Sequence, residues 1–295
     1  MRIKKILLSL SLVAVGVASA FAPTTFLQPY DPVLRLPPAP EKDPLRFGAN
    51  IEWGQTKSGY NWDSKTANVL RLYNDTQAFI PMLIGSVNNP AAAAIIRGLT
   101  AAYPGQPLDD GIRGHVKFNG EFEGWDITPH IRYVLPFDAI PGELAISAHL
   151  PIRWARVGSV TFEDQTKDNF AVDLDIRGYI HDTATLKNNV KTLANLDLNN
   201  WDATDLGDLV IMLDWMRDYP QEKESLKNVE LHAKLGLRCP TGLEKDENKA
   251  FSIAFGNDGA WSIPFGLGLD LDFKSHISLG AEAEFEIIFD DNNKV

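Results

Sequence analysis

The residues of this chain best suited to chemistry are a serine and a histidine two positions apart, Ser147 and His149. Both lie on the polar side of a segment in which apolar and polar residues alternate, so a strand would point them the same way. A serine beside a histidine is a pair that can form an activated nucleophile. Residues i and i+2 of a strand are about 7 Å apart, which predicts that these two side chains do not form a direct hydrogen bond.

No other motif with a dedicated chemistry occurs in the sequence. It has no nucleophile elbow, no phosphate-binding glycine loop and no histidine pair at i and i+4 beside a glutamate. The acidic stretches "DENK" (246–249) and "DDNNK" (290–294) lack the ligand spacing of a calcium loop. We therefore predict no catalytic residue, no metal site, no cofactor and no enzyme activity.

The elements that would position polar residues are strands. In 261–289 the odd positions are apolar and the even positions are mostly glycine, serine or acidic, except in the "KSH" turn at 274–276. Side chains alternate across a strand, so this pattern predicts a hairpin with one apolar and one acidic face. The same alternation predicts seven strands, at 45–54, 115–135, 143–154, 208–219, 229–241, 261–273 and 277–289.

The segments between these strands have other patterns. Residues 55–114 are predicted to form a helical loop or plug, with helices within 63–102 that begin at the caps Asp63 and Asn89. Residues 155–206 are predicted to be a long extracellular loop, in which the strand-like stretch "NFAVDLDIRGYI" (169–180) belongs to a hairpin projecting above the membrane. A slip of the alternation at Gly124 predicts a β-bulge there.

Three prolines interrupt the predicted strands. Pro129, Pro151 and Pro264 each remove a ladder hydrogen bond, so bulges are expected at these points.

The N-terminus has the pattern of an export signal. Residues 1–20 place three basic residues before an apolar run that ends in small residues, as a secretory signal peptide does. A proline-rich lead-in follows at 21–44. Removing the leader removes three basic groups and no acid, so a net charge of -11 becomes -14. An acidic surface argues against nucleic acid as a partner, and a single cysteine excludes an internal disulfide.

Strand length favours lipid over a protein core as the neighbour of the apolar face. The alternation extends over about 12 residues, whereas strands in soluble proteins have about 5 or 6 and a tilted membrane strand needs about 9–11. Aromatic residues lie near the strand ends, and short connections alternate with long ones. These features predict an all-β fold, an antiparallel transmembrane β-barrel (45–295) with meander topology. The alternatives are an outer-membrane lipid hydrolase and an exported soluble β-sandwich that binds a ligand.

The alternation assigns residues to two faces. The lipid-facing residues are predicted to be Trp53, Trp125, Trp154, Trp215, Leu235, Trp261, Leu269, Phe273, Phe285 and Phe289. The pore-lining residues are predicted to be Glu52, Lys117, Glu121, Asp126, His130, Arg132, His149, Arg153, His232, Lys234, Asp270, Asp272, Glu282 and Glu284.

A short motif pair resembles a known family. Gly207-Asp208-Leu209 opens one strand and Pro240-Thr241-Gly242 closes the next. This "GDL … PTG" pattern resembles outer-membrane barrels named for the meta-pathway of phenol degradation, which are similar to long-chain fatty acid transporters. The match covers mainly 207–289. It implies a porin-like channel that passes small solutes across the outer membrane of a Gram-negative bacterium.

The strand count adds one expectation about completeness. Bacterial barrels have an even number of strands, whereas seven are predicted here. We therefore expect the front part of a larger barrel, an open sheet with unpaired edges at its first and last strands. The expected partners are outer-membrane lipid, a small-molecule solute and the barrel-assembly machinery, and a homo-oligomer is compatible with the sequence.

Overall fold

The structure, a computed structural model, describes residues 44–60, 63–71, 75–86, 88–136, 139–167, 170–223, 225–273 and 277–289. The predicted signal peptide, most of the lead-in, the "KSH" turn and the "DDNNK" stretch lie outside these ranges.

Within these ranges the chain is mostly antiparallel β-sheet, with four α-helices inserted between strands. The strands are β1 (Leu45–Thr56), β2 (Ser58–Tyr60), β3 (Thr66–Asn68), β4 (Gln77–Ala78), β5 (His115–Leu135), β6 (Glu143–His149), β7 (Ile152–Asp164), β8 (Trp201–Leu206), β9 (Leu209–Pro220), β10 (Leu226–Cys239), β11 (Trp261–Phe273) and β12 (Ile277–Phe289). The helices are α1 (Phe79–Gly85), α2 (Pro90–Ala102), α3 (Ala171–Ile180) and α4 (Thr183–Ala194).

Ten of these strands form one sheet, which β5 organises. This strand of 21 residues pairs with β1 along one edge and with β6 and β7 along the other. β6 and β7 share one register against β5, so they form a single long strand that is interrupted at Pro151. β8 and β9 likewise follow one another across Gly207 and Asp208. The sheet is thus a meander of seven long strands, and each strand predicted from the alternation is present.

The sheet is open over the described ranges. There, β1 pairs only with β5 and β12 pairs only with β11. No closed barrel is formed by these residues, and the two outer strands are edges, as expected from the strand count.

The helices form a small cap at one end of the sheet. α1, α2, α3 and α4 pack around the N-terminal end of β5, where Val116 joins their apolar core. Asn89 caps α2 by accepting a hydrogen bond from the amide of Ala91 at 2.9 Å, as its position before Pro90 predicted. The helix expected to begin at Asp63 is not found, because 66–71 form β3 and a 3-10 turn and α1 begins only at Phe79.

The predicted loop 155–206 is wrong in part. β7 continues to Asp164, and β8 supplies another strand within this range. Residues 171–180 of the strand-like stretch form the helix α3. Its apolar residues fit both the period of a strand and the period of a helix. However, Val172, Ile176 and Ile180 are buried at i, i+4 and i+8, whereas Leu174 is 60% exposed. The helical period prevails because it gathers three of the four side chains into the core of the cap.

Two local irregularities also differ from expectation. The register shift in β5 lies at Gly120 rather than Gly124, and the extra residue belongs to the facing strand, where Ser159 has a φ of 54°.

Of the three prolines, only Pro151 breaks its strand. Pro129 and Pro264 keep a regular register with Ala49 and Glu286.

The helical assignment of 171–180 predicts unequal costs for two truncations. Ile176→Ala empties a fully buried position in the cap and should lower the free energy of unfolding by about 2–5 kcal/mol. Leu174→Ala removes an exposed side chain and should change it by less than about 0.5 kcal/mol. Denaturant unfolding followed by helical circular dichroism measures both, and equal losses would contradict the helix.

Candidate functional site: the polar face of the sheet

The sheet exposes apolar side chains on one face and buries charged side chains on the other, the reverse of a water-soluble protein. On the apolar face Phe47, Trp53 and Leu267 are 75%, 66% and 68% exposed. On the opposite face Asp126 and Arg153 are each 1% exposed. A soluble sheet covers its apolar face and leaves its charges in water. The polar face, defined here as the face that carries Asp126 and Arg153, is therefore the candidate site.

The predicted lipid-facing residues all lie on the apolar face. Cross-strand pairing aligns Trp53 with Trp125 and Trp125 with Trp154 in one row across β1, β5 and β7. On β10, β11 and β12 the residues Leu235, Phe265 and Phe285 form a second row. The remaining members share this face through their strands and registers, namely Trp215, Trp261, Leu269, Phe273 and Phe289.

Twelve of the predicted pore-lining residues share the polar face: Glu52, Asp126, His130, Arg132, His149, Arg153, His232, Lys234, Asp270, Asp272, Glu282 and Glu284. The prediction is wrong for Lys117 and Glu121. They have the parity of Trp125 and lie on the opposite face, where Glu121 pairs with Lys57 at 2.9 Å and Lys117 lies 3.5 Å from Asp75. They were assigned to the polar face because a bulge at Gly124 would reverse the parity of the residues before it.

The polarity of both faces reverses at the row of Trp53, Trp125 and Trp154, called here the tryptophan row. On the β5 side that carries Trp125, apolar residues give way to Glu123, which faces Arg156 of β7. On the other side, Asp126 gives way to Phe122, which packs on the cluster around Trp201 and Phe255, and to Phe118, which packs on the cap. Between the tryptophan row and the cap, the sheet therefore has the polarity of a soluble protein, with apolar residues packed inside and charged residues outside. On the other side of the row, toward the short turns, this polarity is reversed.

A buried ion pair lies on the polar face next to the tryptophan row, on the side away from the cap. The guanidinium of Arg153 donates to Asp126 at 2.7 Å and to the carbonyl of Phe255 at 2.8 Å. Phe255 belongs to the connection 243–260 between β10 and β11, and it packs on Trp201. That connection, rather than the helices predicted as a plug, contacts the polar face here.

The same connection is joined to the "GDL … PTG" residues. The carboxylate of Asp208 accepts hydrogen bonds from the amides of Gly242 and Asn257, at 3.1 and 2.7 Å. The hydroxyl of Thr241 donates to the carbonyl of Gly207 at 3.0 Å and accepts from the amide of Leu209 at 2.9 Å. The two halves of the motif thus hold the break between β8 and β9 against the end of β10.

Ser147 and His149 do contact each other, contrary to the prediction. The Oγ of Ser147 lies 3.2 Å from Nε2 of His149, because the two side chains lean together on the polar face. The hydroxyl of Ser147 also donates to Asp214 at 3.3 Å. A serine hydrolase needs its acid on the far nitrogen of the histidine, whereas here the acid binds the serine. The contact is a polar hydrogen-bonded group and lacks the order of a catalytic triad.

A second group of charged residues lies on the polar face of β10, β11 and β12, on the opposite side of the sheet from β1. The ammonium of Lys234 forms ion pairs with Glu282 and, at 3.3 Å, with Glu284. The imidazole of His232 lies 3.7 Å from Asp270 and 3.8 Å from Glu282. Opposite His232 the neighbouring strand has Gly268, where a side chain would overlap the imidazole ring.

The predicted pore-lining set omits several members of the polar face. Arg238 is buried and pairs with Glu286 at 3.1 Å, while Glu230 and Asp214 lie on the same face as Lys234. All of them follow from the parity of strands that were predicted correctly. The alternation therefore contained the signal, and the facing strand supplies the partners.

No protein-family model, curated protein or solved structure matches the chain. None of the helices within the described ranges is long and apolar enough to cross a membrane.

The hydrogen bonds of Thr241 predict a difference between two conservative substitutions. Thr241→Val removes the hydroxyl that serves Gly207 and Leu209, and should destabilise the protein by about 1–3 kcal/mol. Thr241→Ser keeps the hydroxyl and should have less than half of that effect. Denaturant midpoints of the two variants measure the difference, and equal midpoints would show that this hydroxyl does not hold the strand break.

Proposed function

We propose that this sheet is the wall of an outer-membrane channel that passes small solutes. The apolar face contacts lipid, the polar face lines an aqueous path, and the helical cap lies in water beyond the tryptophan row. The observation that carries the proposal is the reversed polarity of the sheet, which changes to ordinary polarity at that row.

Both faces of the sheet favour a membrane location on energetic grounds. Exposed apolar surface costs about 25 cal/mol per Å² in water, and soluble monomers rarely expose a contiguous apolar patch above a few hundred Å². Here the exposed apolar residues continue from β1 to β12. Lipid removes this cost, while the charged residues opposite keep water and each other as partners. Tryptophan is enriched where a membrane meets water, which fits a tryptophan row at the reversal.

The strand lengths and connections agree with this arrangement. β1, β9, β10, β11 and β12 have 12–14 residues, and about 9–11 tilted residues cross a bilayer. The three long connections, after β1, β7 and β10, leave the sheet at the end that carries the cap. The short turns leave at the other end. Outer-membrane barrels place long loops outside the cell and short turns in the periplasm, so we assign the cap to the outside.

A soluble ligand-binding sandwich is supported less well. Such a fold packs a second sheet on the apolar face. The strands that the structure describes form the ten-stranded sheet and the β2–β3 hairpin, and the large residues of the apolar face remain exposed.

A pair of matched charge substitutions tests the location of the apolar face. Leu267 and Leu174 are similarly exposed, at 68% and 60%, but Leu174 belongs to α3 in the cap. Leu267→Asp should cost on the order of a few kcal/mol in lipid and abolish membrane insertion, as should Leu269→Asp. Leu174→Asp should insert normally. Cell fractionation with outer-membrane markers measures this, and recovery of the wild-type mature protein as a soluble periplasmic species would overturn the proposal.

The charge on the polar face predicts selectivity. Carboxylates outnumber lysine and arginine side chains there, with Glu282 and Glu284 close to Lys234. Fixed charge of one sign in a pore favours the opposite ion, so reversal potentials in planar bilayers should show cation preference. Glu282→Gln with Glu284→Gln should reduce that preference, whereas Glu123→Gln beyond the tryptophan row should leave it unchanged.

Two results would contradict the proposed channel. Anion preference of the wild type would contradict the assignment of the polar face to the pore. Hydrolysis of lipid esters without conductance, lost in Ser147→Ala, would favour the hydrolase instead.

A further inference from the structure

We propose that Glu230, His232 and Asp270 bind a divalent metal ion of the zinc type on the polar face. One ligand atom from each residue can be chosen so that all three lie within 4.8 Å of one another. The sequence alone predicted no metal site, because the three residues converge only through the pairing of β10 with β11.

The strands position the three ligands directly. Glu230 and His232 are two residues apart on β10, so both side chains point to the polar face. Asp270 lies opposite Glu230 in the register of β10 and β11. The Nδ1 atom of His232 is 3.7 Å from a carboxylate oxygen of Asp270. Zinc bonds of about 2.0–2.2 Å place tetrahedral donors about 3.4 Å apart, so a small shift of the side chains brings these two donors to a common ion.

The imidazole is also oriented as a metal ligand requires. Its other nitrogen, Nε2, faces Glu282 at 3.8 Å, and Lys234 holds that carboxylate by an ion pair. Histidines that bind metals usually direct their second nitrogen to a carboxylate, which fixes the ring and raises its basicity. Glu282 is therefore a positioning residue for His232.

Glycines on the neighbouring strands leave space for these side chains. A Cβ atom at Gly268 would overlap the ring of His232, and one at Gly280 would overlap the carboxylate of Asp270. Both side chains lean across a strand that has no side chain of its own at that point. The two glycines thus permit the conformations in which His232 and Asp270 lie across β11 and β12.

The surrounding charge and the donor set indicate the class of ion. Asp218 and Gly280 flank Glu230 and Asp270 in the same cross-strand row, and Asp272 lies one row away. This negative surrounding attracts cations. One imidazole with two carboxylates suits zinc and similar ions, whereas calcium prefers oxygen ligands alone. The inference does not depend on the proposed channel, because these residues share one face of β10 and β11 whether or not the sheet lies in a membrane.

Zinc titration of the purified full-length chain in detergent tests the site. Isothermal calorimetry should show one zinc ion per chain, with calcium binding at least about tenfold more weakly. Asp270→Asn, which keeps the side-chain shape, and His232→Gln should each lower zinc affinity at least about 100-fold. Glu282→Gln should lower it about tenfold, as loss of an orienting carboxylate does. Cobalt in place of zinc should give visible absorption bands that His232→Gln abolishes.

The control is His181→Gln, because His181 pairs with the single carboxylate of Asp182 at 2.8 Å outside the cluster. It should bind zinc as the wild type does. Circular dichroism confirms the fold of each variant, and Asp270→Asn serves if His232→Gln does not fold. Equal affinities of the wild type and Asp270→Asn would overturn the site. Equal binding of calcium and zinc would also overturn it, because it would indicate attraction to acidic groups alone.

Discussion

A sheet with one apolar face and one charged face needs a different environment for each face. In this chain the apolar and charged residues change faces at a row of three tryptophans. Beyond Trp53, Trp125 and Trp154, apolar residues of β5 and β7 pack on the helical cap and on the cluster around Trp201 and Phe255. Before that row, the same strands bury Asp126 and Arg153 and expose large apolar side chains. The cap, the connection 243–260 and the ion pair of Asp126 with Arg153 all lie against strands that carry this reversal.

The break between β8 and β9 keeps apolar residues on one face of the sheet. β8 and β9 change parity at Gly207 and Asp208, so Leu206 and Leu209 both remain on the apolar face. Such a change would leave backbone groups without partners, but Asp208 and Thr241 supply hydrogen bonds to the amides and carbonyl nearby. The "GDL … PTG" residues therefore have a structural role that can be stated without reference to any relative.

Much of the sheet could be predicted from the sequence because a period of two is a strong local signal. All seven long strands, and the face of every predicted lipid-facing residue, followed from it. Errors arose where the apolar residues changed face. Val116, Phe118 and Phe122 suggested a bulge at Gly124, which put Lys117 and Glu121 on the wrong side. At 171–180, Val172 and Ile176 fit both a strand and a helix, and only the packing of the cap decides between them.

The candidate site was predictable as a face but not as a set of contacts. Parity alone placed His232 and Asp270 together with Lys234. Their approach to Glu230 and Glu282 depends on which residues of β10, β11 and β12 stand opposite one another, and one sequence does not specify that register. The contact between Ser147 and His149 shows a related limit, because backbone spacing does not account for how far a histidine side chain reaches.

The odd number of long strands has a consequence for how the sheet can be completed. Each strand runs opposite to its neighbour, so β1 and β12, the first and seventh of the meander, run in the same direction. If these two edges met directly, their hydrogen bonds would have the slanted pattern of a parallel pair. A fully antiparallel closed sheet would need an odd number of additional strands between them. The direction of the two edge strands thus determines how many strands, odd or even, such a closed sheet would require.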